Sequence, residues 1–158
     1  IGGSYNFTAL RECERLSVSE DRWEALPSLP HGMYEGSVIV AKEPKCIYVL
    51  GGFCKASFNV IPLPQNLIQR LHLGRLEWDE MPVKLPSDAC NIACFSKASK
   101  VWLIVEGKLY CLNASAEFAT TLIKNIDEKN SYFGPSYYYS GYLYCSDSGD
   151  RIEIGQLC

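Results

Sequence analysis

The chain has 158 residues, 47% of them hydrophobic and 21% charged, with a formal net charge of −3. That balance supports a buried core and excludes a disordered chain. Its 15 lysines and arginines are scattered, which excludes the positive stripe that nucleic acid requires, and no apolar run approaches the roughly 20 residues of a membrane-spanning helix. Neither nucleic acid nor membrane is therefore an expected partner. No charged n-region and apolar h-region suggests a signal peptide, and the expected setting is cytoplasmic. The first residue is Ile, so a targeting segment could have been lost upstream.

Apolar runs are short, aromatic or β-branched, and punctuated by Gly, Pro, Ser and Asp, a pattern that predicts strands throughout. The chain opens on Ile1-Gly2-Gly3, the end of an apolar run. Glu14-Arg15-Leu16-Ser17-Val18 alternates as a half-exposed strand should. The four polar residues Ser19 to Arg22 have hairpin length and lead to a strand opening on Trp23, with Pro27 and Pro30 beyond it. Tyr34 to Val40 is a predicted first strand, in which Val38-Ile39-Val40 has the continuous apolar character of a strand buried on both faces. Ile47-Tyr48-Val49-Leu50-Gly51-Gly52 is the second, Ile68 to Leu73 the third, and the fourth opens on Trp78. Further on, Val101 to Glu106, Tyr142 to Cys145 and Arg151 to Ile154 also read as strands.

Part of this order repeats. Glu14 to Val18 is echoed 55 residues later by Gln69-Arg70-Leu71-His72-Leu73. Eight residues after each arginine stands a tryptophan, Trp23 or Trp78, followed by a proline at four residues and a second soon after. Upstream of each lies a glycine pair, Gly2-Gly3 or Gly51-Gly52. A unit of about 50 residues carrying such marks is the signature of a repeat array. The glycine pair permits positive φ and close approach of the next unit. Each tryptophan brings ~150–250 Å² of burial and is expected to wedge against a neighbouring sheet rather than act as a surface anchor.

These residues resemble the kelch repeat, the blade of one class of β-propeller. Ile47 to Gly52 matches the second strand of that repeat, and Trp23 and Trp78 match its fourth. The match decays in a third unit, where Val101 to Glu106 lacks the glycines and Phe118 stands in the tryptophan position. The resemblance implies an all-β chain of four-stranded antiparallel blades: 1–33 the end of one blade, 34–86 a second, 87–134 a degenerate third, and 135–158 the start of a fourth. Propellers close with about 4–8 blades, so the chain is expected to be an arc of a longer one. Gly2, Gly3, Trp23, Tyr48, Gly51, Gly52 and Trp78 form the structural signature.

Catalytic chemistry finds no constellation. The only histidines are His31, in a turn, and His72, in a strand with no carboxylate beside it in the sequence. Eight cysteines lack the two-residue spacing of a zinc knuckle; Cys90 and Cys94 are separated by three residues, with no second pair. They read as small buried hydrophobes of a reducing compartment, while the sequons Asn6-Phe7-Thr8 and Asn113-Ala114-Ser115 pull the other way. Ser146 to Asp150 lacks the terminal glutamate of a calcium loop and reads as a turn. No metal and no cofactor is expected.

The resemblance implies a non-catalytic protein–protein interaction module, as in the substrate receptors of ubiquitin ligases and in cytoskeletal scaffolds. The alternative it leaves open is a carbohydrate-active or copper-oxidase propeller, with Tyr137 to Tyr139 or Asp147 to Asp150 at a site. For the module, the loops after the second strands are the expected contact face: Ser4 to Glu12, Phe53 to Leu67, and Asp147 to Asp150. The middle loop makes its unit six residues longer than the first between glycine pair and tryptophan, 26 against 20. Being apolar and stiffened by Pro62 and Pro64, it is either a binding element or packing onto the neighbouring unit. Phe53, Phe58, Ile61 and Leu63 are its candidate anchors, and Arg11 and Lys55 the candidate charged contacts to an acidic peptide.

Overall fold

The computed structural model describes residues 1–42, 45–54, 59, 61–88, 92–97, 100–112, 120–125, 136–145, 151–153 and 155, and every regular element among them is a β-strand. The short strands β1 (Ser4–Tyr5) and β2 (Thr8–Ala9) form one hairpin, and β3 (Cys13–Ser17) and β4 (Arg22–Leu26) another. Next come β5 (Ser37–Ala41) and β6 (Cys46–Leu50), the hairpin β7 (Phe53–Cys54) and β8 (Leu63–Pro64), then β9 (Ile68–His72) and β10 (Glu77–Glu80). Strands β5, β6, β9 and β10 make a four-stranded antiparallel meander, from whose middle the β7–β8 hairpin projects. A second meander contains β11 (Ala93–Lys97), β12 (Lys100–Val105), β13 (Lys108–Leu112) and β14 (Thr120–Asn125). The strands β15 (Ser136–Tyr139), β16 (Tyr142–Cys145) and β17 (Arg151–Glu153) make a three-stranded one.

The sheets stack in chain order and share their faces. β11 lies against β5 on one side and against β15 on the other. Strand β12 shows how one sequence serves two cores. Its period-2 alternation sends Val101, Leu103 and Val105 into a cluster with Tyr48, Leu50 and Ile68, and Trp102 and Ile104 into a second with Phe95 and Leu143. Both sets are buried, which is why this strand reads as a continuous apolar run. Phe95 stacks between Trp102 and Tyr138, at centroid distances of 6.4 and 5.3 Å. A third cluster, of Cys13, Leu29, Met33 and Val49 with Leu26 and Trp78, joins β3–β4 to the next sheet. The buried Gln69 reinforces that joint: its amide accepts from His31 N at 2.7 Å and donates to His31 O at 3.1 Å.

The repeat is visible in three dimensions. Leu16 faces Trp23 and Arg15 faces Glu24 across β3–β4; Leu71 faces Trp78 and Arg70 faces Asp79 across β9–β10. Gly2 N donates to Glu12 O at 2.9 Å, and Gly51 N to Leu67 O at 3.0 Å. The two tryptophans of the repeat differ in their surroundings. Trp78 wedges against the preceding unit and its Nε1 donates to Pro27 O at 2.8 Å, whereas Trp23 is 64% exposed. The reason is positional: β3–β4 packs through its other face, and no described residue covers the face carrying Trp23 and Leu16. No closed ring of sheets forms among the described residues.

Candidate interaction surface

The two hairpins that follow the glycine pairs lie side by side, β2 against β7. In the first, a two-residue turn places Asn6 at φ 47° and Phe7 at φ 61°, the pair of positive values that a type I′ hairpin turn demands. Glycine or asparagine suits such a turn. A phenylalanine there costs about 1–2 kcal/mol of backbone strain, yet it is 61% exposed. Tyr5, on the adjoining strand, is also exposed. In the second hairpin Phe53 pairs with Pro64 and Cys54 with Leu63, and Ile61 and Leu63 are exposed, Ile61 to 80%.

Met33 and Tyr34 tie these hairpins together. Gly3 N donates to Met33 O at 2.8 Å and Met33 N to Leu10 O at 3.1 Å. One residue on, Tyr34 and Phe53 exchange both backbone hydrogen bonds, at 3.1 and 2.8 Å, and their rings stack at 5.7 Å. Tyr5 and Leu63 are thus held on paired strands, which lowers the entropy lost when a partner orders them. Among the described residues the surface does not continue into the third unit. In the third, β12 turns directly into β13 through Glu106 and Gly107, at φ 49° and 69°, with no insertion.

Of the sequence candidates, Ile61 and Leu63 stand on this surface. Phe53 is half-buried by its stacking on Tyr34, and Arg11 donates its Nε to Leu29 O at 2.6 Å. Lys55 and Phe58 lie outside the described residues, as do Phe118, Asn113 and the Asp147 to Asp150 turn. Tyr5 and Phe7 were missed as anchors; their signal was the Tyr-Asn-Phe-Thr stretch, in which asparagine opens a two-residue hairpin. Among the structural signature residues, Tyr48 is fully buried.

A second cluster lies across strands β6, β9 and β10. The register β6–β9–β10 brings Cys46 Sγ to 3.5 Å from His72 Nδ1, and His72 Nε2 to 3.6 Å from Asp79 Oδ2. This corrects the reading that His72 has no carboxylate nearby: Asp79 is on the next strand, reached across the sheet. The order Cys–His–Asp is that of a nucleophile, base and orienting acid, but its electrostatics run the other way. Burial raises the Cys46 thiol pKa, with Arg70 opposing, and the residue is fully buried, so the arrangement supplies no exposed thiolate. Cys94, also buried, is pushed up to about 12. Among the described residues, no group of three or more His, Cys, Asp or Glu gathers to hold a metal.

Asp79 titrates in the opposite direction. The bidentate hydrogen bond from Arg70, one arm of it 3.0 Å long, holds its carboxyl below the ordinary range against the effect of burial. A depressed carboxylate contributes stability above its unfolded pKa, about 3.9, and loses it as pH falls through the folded value. Asp79→Asn is therefore expected to lower the melting temperature at pH 7, and the gap from the parent to shrink as pH is taken from 5 towards 2. A pH series of melting curves on both proteins checks this; a constant gap would contradict it.

No protein-family model matches the chain, and comparison with curated proteins finds no relative.

Proposed function

We propose that the chain is a non-catalytic protein-interaction module built of kelch-type propeller blades, a scaffold or substrate-recognition adaptor. The observation carrying this reading is the surface of Tyr5, Phe7, Ile61 and Leu63 on two hairpins bonded through Met33 and Tyr34. Phe7 is held at φ 61° and is 61% exposed, and strain retained at an exposed site points to use. The partner is another protein, which buries these side chains as a central apolar cluster.

The reading makes an unusual pair of demands on Phe7. Phe7→Gly relieves the turn, so stability is expected to hold or to rise by roughly 0.5 kcal/mol, since relief of left-handed strain exceeds the added unfolded-state entropy. Ile61→Ser with Leu63→Ser is expected to move stability by less than about 1 kcal/mol. Each variant should nevertheless weaken capture of the partner in pull-downs by about tenfold or more, the effect of one lost anchor. A collapse of stability in the Ile61/Leu63 variant would instead identify that loop as packing between units, and the interaction reading of it would fall.

A further inference from the structure

The two apolar hairpins differ in charge from the turns at the other end of the strands. Among the described residues of 4–9 and 53–64 none is acidic or basic. The β3–β4 and β9–β10 turns are charged, and there Arg22 pairs with Glu20 and Arg75 with Glu77. Arg11, just beyond the first hairpin, is directed to Leu29 O. A partner that brought a charge to the centre of the hairpin surface would bury it without an opposite charge, at a large desolvation cost. The surface therefore selects an uncharged segment.

The backbone narrows the occupant further. A strand added to a sheet edge needs a ladder of free N–H and C=O groups. Each strand of these hairpins has two residues, and neither Pro64 in β8 nor Pro62 before it has an N–H to give. A helix seats its apolar stripe in a groove about as wide as itself, ~10–12 Å. Here the apolar groups project instead: Phe7 from the tip of one hairpin, Ile61 and Leu63 from the other, at 61%, 80% and 58% exposure. Projecting groups of this kind suit a narrow extended segment that keeps its own backbone solvated, which is polyproline II. Its proline rings stack on an aromatic face, and its free carbonyls accept from donors such as the exposed Asn6 amide.

We propose that the two hairpins bind an uncharged, proline-rich segment of a partner protein in the polyproline II conformation. The segment lies between the two rows, with a proline on Phe7 and an aliphatic residue against Ile61 and Leu63. The stack of Tyr34 on Phe53 holds the rows at a fixed spacing. Polyproline II is preformed, so its ordering entropy on docking is small. This inference rests on the interaction reading of the same hairpins and adds the chemistry of the occupant.

Three labelled peptides of about twelve residues are the probes, each titrated into the intact chain by fluorescence anisotropy. One is built of Pro-Pro-Leu repeats, one is an alanine-based helix with a leucine stripe, and one alternates leucine with glutamate. The proline peptide is expected to bind saturably, with an affinity that changes by less than about twofold between about 50 and about 500 mM NaCl, since apolar contacts are not screened. Phe7→Gly, and Ile61→Ser with Leu63→Ser, should each weaken it by about fivefold or more. Trp23→Ala, which removes an exposed aromatic outside the hairpins, should leave it unchanged. A proline peptide that fails to bind, or that binds these hairpin variants as well as the parent, overturns the proposal. Tighter binding of the helix or the glutamate peptide, lost in the hairpin variants, overturns it too, while leaving the hairpins an interaction surface. Partner capture in pull-downs that survives the hairpin substitutions would remove the interaction reading itself, and this proposal with it.

Discussion

Gly52→Ala is expected to lower stability by about 3–5 kcal/mol, a large loss for a single added methyl. Two effects add. Gly52 has φ +91°, which L side chains rarely adopt, and a Cβ there would lie 2.7 Å from Tyr34 O and 2.9 Å from both Gly36 N and Cα. These obstacles are backbone, so no side chain can swing aside. Tyr34 is also the link between the two exposed hairpins, so the displacement reaches the interaction surface. Gly3, the repeat counterpart, has φ +120° with nothing within 4 Å of its Cβ position. Gly3→Ala should therefore cost only the conformational part, roughly 1–3 kcal/mol. Calorimetry on the two variants separates close approach from backbone preference. Equal losses would show that the contact with Tyr34 and Gly36 is not what fixes glycine at 52.

The two tryptophans should diverge as sharply. Trp78→Ala removes a ring from the cluster of Cys13, Leu29, Met33 and Val49 and leaves Pro27 O without its indole donor. A loss of about 3 kcal/mol is expected, mostly cavity and transfer free energy with up to roughly 1 kcal/mol from the hydrogen bond. Trp23→Ala, at the same place in the repeat, should change stability by less than about 1 kcal/mol in this chain. Denaturant titrations of both variants test the pair. A large loss at Trp23 would mean that its face is covered in solution.

The strands were legible where burial imposes a period. The predicted strands of 34–86 meet the observed ones to within a few residues, since alternation and glycine punctuation are local properties. Glu77–Glu80 begins one residue before its tryptophan, and the first strand begins at Ser37, with Tyr34 diverted to pair with Phe53. That diversion depends on tertiary contact and leaves no local trace. The 53–67 stretch looked irregular because its hairpin strands have two residues each, too few for any period. The proximity of His72 to Asp79 is a matter of register, invisible until β9 and β10 are paired. Trp23 carries the same motif as Trp78, but no described residue covers it.

Face-sharing has a consequence for how the chain opens. Each residue from Val101 to Val105 belongs to one of two cores by parity alone, so Leu103→Ala and Ile104→Ala should weaken different joints although they are adjacent in sequence. In a stack where each sheet touches only its neighbours, stability spreads as nearest-neighbour terms. Among the described residues, the β11–β14 sheet has packing on both sides, whereas β3–β4 and β15–β17 have it on one. Local opening should begin at those outer sheets and reach the β11–β12–β13 amides last, giving a gradient of exchange protection that rises toward the middle of the sequence.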